Sequence, residues 1–141
     1  MSKDVDKMLD IIHYFNSSSL FKTLDFEITS YQDDCLKLQM NHNNELHSGS
    51  FGKHTSIGAN GLIVTAGLEA AIGVLGVLNY NGQSAGVIEI SVKLVKVIRG
   101  KLSTIQAKVD RTTNDLTFIS ATLYDERGGE CAYASGIVSK I

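Results

Sequence analysis

Apolar positions recur at helical spacing at the start of the chain: Val5, Met8, Leu9, Ile12 and Phe15, with Asp4, Lys7 and Asp10 among them. The pattern predicts an amphipathic helix over 3–16, packed on an edge of the molecule. After a break at NSSS, the runs LDFEITSYQ and CLKLQMN alternate in part and are separated by Asp33 and Asp34. They predict two strands joined by a turn. Residues 42–60, HNNELHSGSFGKHTSIGAN, are polar, have no strong period and read as a loop. The stretch NGLIVTAGLEAAIGVLGVL (60–78) holds a single ionisable side chain, Glu69, and predicts a long buried helix closed by the turn signals of NYNGQSAG. Four alternating runs finish the chain, VIEISVKLVKVI, LSTIQAKV, LTFISATLY and ECAYASGIVSKI, divided by RG, DRTTND and DERGG. They predict four consecutive strands with hairpin-length turns, the first carrying Ile88, Ile90, Val92 and Leu94 on one face.

This order leaves no second helix to make parallel crossovers, so the expected class is α+β with an antiparallel sheet. A helix that is apolar around most of its girth needs cover on most sides. A strongly curved sheet wrapped about it supplies that cover, with a partner subunit over the remainder. Gly67, Gly73 and Gly76 each cost about 1 kcal/mol of helix propensity relative to Ala, and are expected where sheet or partner backbone comes close.

Composition narrows the partners. The 141 residues suit one domain spanning 1–141, and 43% apolar with 20% charged residues is globular. A net charge of -2 argues against nucleic acid. The start MSKDVDKMLD places charges where a secretory signal has its apolar core, so the expected location is the cytoplasm. The apolar run reaches the lower edge of a membrane span, but Glu69 at its centre would cost about 2.5–3.5 kcal/mol there, and no membrane is expected. Cys35 and Cys131 lack CxxC spacing and read as small buried hydrophobes. His42, His47 and His54 stand at spacings of five and seven residues, which match no standard ligand pattern, so no metal is expected.

Three segments carry a family likeness. NGLIVTAGLEAAIG is similar to H-G-G-x6-D/E-x-A-x-G, GVIEISVKLVKVIRGKL to a strand followed by a Gly-bearing turn, and LTFISATLYDERGGECAYASGI to a closing hairpin. Together they cover about residues 60–141, and in them the chain resembles the small acyl-CoA thioesterases of the hotdog fold, PaaI-like branch of the thioesterase superfamily. The resemblance implies a curved antiparallel sheet wrapped around a long central helix, with a short N-terminal helix. It also implies hydrolysis of an acyl-CoA thioester, with coenzyme A as part of the substrate and no separate cofactor, in a homodimer that leans towards a dimer of dimers. Against the family frame N-x5-H-G-x7-D/E, this chain reads His54-x5-Asn60-Gly61-x7-Glu69. The acid and the glycine match. Asn and His are exchanged, and Val87 stands where a Ser is often found, with Ser84 as a substitute if the loop is shifted.

Thioester hydrolysis needs a carboxylate that activates water or attacks directly, and donors aimed at the oxygen that becomes negative. Glu69 is the candidate base or nucleophile. The N–H of Gly61, at the first turn of a helix and without a side chain in front of it, is the candidate oxyanion donor. Asn60 and His54 are candidate orienting groups, although Asn60 also reads as an N-cap and His54 as a solvated loop residue. Val87, Ser84 and Arg99 are candidate substrate contacts. Arg99 belongs with Lys93, Lys96, Lys101 and Arg111 to a set of cations that meet the phosphates of coenzyme A or protect sheet edges. Gly61 and Glu69 lie roughly 12 Å apart along a helix axis, too far to serve one thioester from one chain. The site is therefore expected to be shared across a twofold axis, Gly61 of one subunit meeting Glu69 of the other. Alternatives are an acyl-thioester dehydratase or hydratase, a non-catalytic acyl-CoA binding or regulatory module, and a purely structural oligomer.

Overall fold

The computed structural model describes residues 4–49 and 58–141. Helix α1 (Val5–Asn16) is capped by Asp4, whose carboxylate accepts from the Lys7 N–H at 3.2 Å. A second helix, α2 (Ser19–Leu24), follows at once, capped by Ser18 through the Phe21 N–H. Six residues are too short for a hydrophobic period to show, and the break at NSSS holds this extra cap and turn. Strands β1 (Phe26–Gln32) and β2 (Cys35–Asn41) form the expected hairpin. Asp33 and Asp34 both adopt left-handed φ values, 52° and 58°, the pair of conformations that lets a two-residue turn match strand twist.

The long helix α3 runs from Gly61 to Asn79 and is followed by β3 (Ala85–Leu94), β4 (Leu102–Thr112), β5 (Leu116–Asp125) and β6 (Glu130–Lys140). All pairings are antiparallel, and the sheet order is β1-β2-β4-β5-β6-β3. This corrects one expectation. Strands β4, β5 and β6 form a meander, but β3 pairs with β6 and not with β4, so residues 95–101 cross two strands rather than turn a hairpin. The crossing leaves β3 at an edge. A second correction concerns its faces: a bulge between Val87 and Glu89 turns Ile88 outward and brings Val87 onto the helix side with Ile90 and Val92.

Helix α3 lies against β2, β3, β4, β5 and β6. It is long and apolar enough to cross a membrane, yet Leu68, Ala71, Ile72, Leu75 and Leu78 are fully buried within the fold. Each large side chain so buried contributes about 1.5–3 kcal/mol. Opposite them, Leu36, Leu38, Met40, Ile105, Ile119, Leu123 and Val138 alternate along the strands and are equally buried. Two of the three glycines inside the helix, Gly67 and Gly76, sit where the sheet presses closest. A Cβ on Gly67 would stand 2.5 Å from Met40 Sδ, and one on Gly76 would overlap the branched Val138 side chain. Gly73 is different, because a Cβ there would meet Val87 Cγ2 at 3.5 Å, an ordinary contact.

The N-terminal helices are fastened across this assembly by Asn16. Its side chain donates to the Ile28 carbonyl at 3.1 Å and accepts from the Ile28 N–H at 2.7 Å, beside the bulge in β1. Of the two cysteines, Cys131 is buried as expected, whereas Cys35 is half-buried at the hairpin turn.

The glycine contacts set opposite signs for one substitution. Gly76→Ala overpacks against Val138 and is expected to destabilise by about 1–3 kcal/mol in chemical denaturation. Gly73→Ala gains helix propensity with room to spare and is expected to stabilise by about 0.5–1 kcal/mol. Equal effects of the two would contradict the packing described.

Candidate functional site

The start of α3 is held by Asn60. Its Oδ1 accepts from the Ile63 N–H at 2.9 Å, while Nδ2 donates to the carbonyls of Leu46 and Ser48, both at 2.9 Å. Its own N–H donates to the His47 carbonyl at 2.8 Å. Both amide hydrogens of the side chain are thus taken, and Asn60 acts as a buried cap with none left for a substrate. The expectation of Asn60 as an orienting group is corrected on that ground. Gly61, the first helical residue, keeps its N–H free of any acceptor among the described residues, at the positive end of the helix dipole. It borders a cleft of about 270 Å³ with Val64, Leu94, Val97 and Cys131.

The carbonyls that hold Asn60 belong to a segment locked by histidine. His47, 1% exposed, has Nε2 2.6 Å from the Leu24 carbonyl at the end of α2. A carbonyl only accepts, so Nε2 carries the proton and Nδ1 of neutral His47 is bare. His42 Nδ1 lies 2.9 Å from that bare nitrogen and must donate to it. His42 Nε2 then accepts the hydroxyl of buried Ser103 on β4, at 2.7 Å. Burial, and then the neighbouring His47, push the His42 pKa down to about 4 against a weak opposing pull from Glu126. Burial also lowers that of His47, opposed by its bond to Leu24 and by Asp25.

Glu69 lies two turns along α3 and is exposed. No hydrogen bond or ion pair reaches it among the described residues. It stands at an apolar cleft of about 490 Å³ whose walls include Tyr14, Phe15, Phe21 and Phe26, with Gly73 and Val87 beside the helix. The aromatic wall comes from α1, α2 and β1. Phe15 had the helical spacing of an inward residue, but nothing local in the sequence said that it would face Glu69 from across the molecule. The bulge in β3 places Val87 in this cleft, where it offers no hydroxyl. Ser84 lies in an adjoining cleft that shares Tyr14, Phe15, Val77 and Ala85 with the first. His54 falls outside the described residues.

The Gly61 and Glu69 clefts have no lining residue in common. The Gly61 cleft instead continues, through Lys96 and Val97, into a charged cleft of about 510 Å³ that holds Arg99 and also Arg127, Asp125 and Glu126. Both acids there are engaged by backbone N–H groups. Glu126 accepts from Lys101 and Leu102 at 2.7 and 2.8 Å, and Asp125 from Gly129 and Arg127 at 2.8 and 3.0 Å. The Gly129 amide in particular holds the Asp125 carboxyl below its usual range. Lys96 reaches Asp125 only at 3.8 Å. Lys96, Arg99 and Arg127 line this cleft beside two carboxylates that each accept two backbone N–H bonds. Arg127, in the β5–β6 turn, was not singled out in the sequence, because only the folded hairpin brings it to Arg99.

No protein-family model and no curated protein sequence matches the chain. Solved structures do. The chain is similar to the Escherichia coli PaaI protein from the phenylacetic acid degradation operon (14% identity, TM-score 0.81, covering 96% of this chain and 94% of that one). It is similar to a Haemophilus influenzae thioesterase (17%, TM-score 0.80, 91% and 86%) and to a Shewanella oneidensis protein related to the thioesterase superfamily (17%, TM-score 0.82, 99% and 100%). With the sheet wrapped on α3, these likenesses show that the fold is the hotdog fold, as the motifs implied.

The histidine pair has a measurable consequence. The folded pKa of His42 lies below the unfolded value of 6.5, so the fold binds the neutral ring. Above that value both states are neutral. As pH falls through 6.5 the unfolded chain takes up a proton that the folded chain refuses until about pH 4. The His42 contribution to unfolding free energy should drop by at most about 2 kcal/mol between pH 7 and pH 5, giving a shallower slope in His42→Asn. A flat profile in the wild type would contradict this geometry.

Proposed function

We propose that the chain hydrolyses acyl-CoA thioesters in a homodimer, each site combining Glu69 of one protomer with the Gly61 N–H of the other. The observation that carries this reading is the separation of the two groups: an unpaired carboxylate at the mouth of an apolar cleft, and an unpaired amide opening into a different cleft. Likeness in shape to proteins named thioesterases supports it.

The partner has an evident seat. Leu62, Ala66, Glu69 and Gly73 form a stripe along α3 that the sheet leaves uncovered, and β3 lies at the sheet edge with Ile88 and Leu94 exposed. Two copies related by a twofold axis can bury both features at once. Antiparallel α3 helices then bring the Gly61 end of one towards Glu69 of the other. Exposed Val5, Leu9 and Leu20 on the N-terminal helices remain for a second interface, that of a dimer of dimers.

In the proposed reaction the acyl chain occupies the apolar cleft and the thioester carbonyl accepts from Gly61 N–H. The Glu69 carboxylate takes a proton from water as the water oxygen attacks the carbonyl carbon. The tetrahedral oxyanion is stabilised by the amide and the helix dipole. Its collapse breaks the C–S bond, and the departing thiolate takes up the proton, leaving free acid and coenzyme A. Direct attack by Glu69 would pass through an anhydride that water then opens, with the same products. The nucleotide end of coenzyme A lies towards Lys96, Arg99 and Arg127, whose cleft continues that of Gly61. Coenzyme A enters as substrate, and no further cofactor takes part.

A second reading, a non-catalytic acyl-CoA binding module, is favoured by Val87, which places a methyl-bearing side chain where a hydroxyl would orient the substrate. Thiol release from short, medium and aromatic acyl-CoAs separates the two. Hydrolysis is expected, falling by about a hundredfold or more in Glu69→Gln with the dimer retained. Tight binding without turnover, in wild type and Glu69→Gln alike, would establish the binding module instead.

A further inference from the structure

We infer that His42 and His47 are positioning residues for the Gly61 amide, a clasp that sets the entry of α3 through Asn60; the inference rests on the hydrolase reading above. The chain of contacts is continuous. Ser103 Oγ donates to His42, His42 donates to His47, and His47 donates to the Leu24 carbonyl, over 2.7, 2.9 and 2.6 Å. Three separate elements, β4, the end of β2 and the end of α2, thereby fix one imidazole at both of its nitrogens. The same residue and its two neighbours supply the three carbonyls that hold Asn60, from Leu46, His47 and Ser48. Asn60 in turn caps α3, and the next residue is Gly61.

Here a buried polar chain takes the place of simple packing, and each donor in it has one acceptor. Such a network specifies a single geometry rather than a family of close-packed ones. An oxyanion donor requires that, because a displacement of about 1 Å at the reacting centre costs on the order of a hundredfold in rate. The polarity is also one-way. The carbonyl of Leu24 sets the His47 tautomer, and that tautomer sets the His42 tautomer.

The 2.9 Å contact between the two Nδ1 atoms accommodates one proton between them and no second. Among the described residues, the other titratable groups acting on the pair are Glu126 towards His42 and Asp25 towards His47, both acidic. Asp25 accepts from Asn44 Nδ2 at 2.8 Å, which ties the same segment down from the outside.

Three variants test the clasp. His42→Phe keeps the volume and removes both bonds. Ser103→Ala removes only the outer donor and is the gentler change should the first fold poorly. His42→Asn keeps a donor near the Nδ1 position. Backbone amide exchange at Asn60 and Ile63 is read beside kcat and KM for an acyl-CoA that the wild type hydrolyses. In His42→Phe, exchange at both amides should quicken and kcat fall, each by about tenfold or more, with KM within about twofold. Ser103→Ala should move both readouts in the same direction by less, and His42→Asn should restore part of each. Unchanged exchange at Asn60 and Ile63 in His42→Phe and Ser103→Ala would overturn the clasp, whether or not kcat falls. A wild type that turns over no acyl-CoA, with exchange still quickened in the variants, would overturn the hydrolase reading while supporting the clasp.

Discussion

The structure depends on one constraint: a nineteen-residue helix, apolar on nearly every side, has to be kept out of water. No flat sheet can do this. Five strands curve against α3, and Gly67 and Gly76 let Met40 and Val138 come in where a methyl group would hold them off. The sheet still covers only part of the girth. Beyond exposed Leu62, the stripe left over carries small residues, Ala66 and Gly73, and the helix's single charge, Glu69. A carboxylate placed on that stripe is at once soluble in the isolated chain and available to whatever comes to cover it.

The same helix separates the parts of the site. Its N-terminus offers a bare amide and a positive dipole end, and its flank, two turns later, offers the Glu69 carboxylate. The distance between them is a property of α-helical rise and cannot be relaxed by side-chain motion. A second helix running the other way removes the problem. Ala85 and Val87 of the edge strand β3 line one cleft with Ala66, Glu69 and Gly73 of α3, so the proposed dimer and the proposed chemistry rest on common ground. The clefts then have an order: cations, amide, carboxylate, aromatic wall. A thioester of coenzyme A has its phosphates, carbonyl and acyl chain in that sequence.

Much of this was legible in the chain. The apolar run with its central Glu69 and the Asp33-Asp34 turn each express a local rule and formed as expected, and the six strands formed with the faces of β3 changed by its bulge. Asn60 illustrates a residue whose type was readable and whose role was not: its capping chemistry follows from the amino acid alone, but only the carbonyls of Leu46 and Ser48 show that its donors are spent. Strand order was hidden for a different reason. The pairing of β3 with β6 is decided by which edge remains open once the β4–β5–β6 meander has formed, which no window along the sequence contains. The bulge at Ile88 exchanged the faces of neighbouring residues and so moved Val87 to the Glu69 cleft. His42, His47 and Ser103 were unconnected as letters, since 61 residues separate His42 from the hydroxyl it binds.

The most direct measurement mixes two variants that the proposal makes inactive. Glu69→Gln lacks the proposed base, and Gly61→Pro lacks the N–H while keeping the helix, because proline is tolerated at a first helical position and Asn60 already has the extended backbone that precedes it, with ψ at 158°. After the two homodimers are exchanged at equal amounts, half of the dimers are mixed and each mixed dimer holds one intact site, so about a quarter of wild-type acyl-CoA hydrolysis should return. If both variants are inactive alone and the mixture, with subunit exchange verified, stays inactive, the site does not span two protomers.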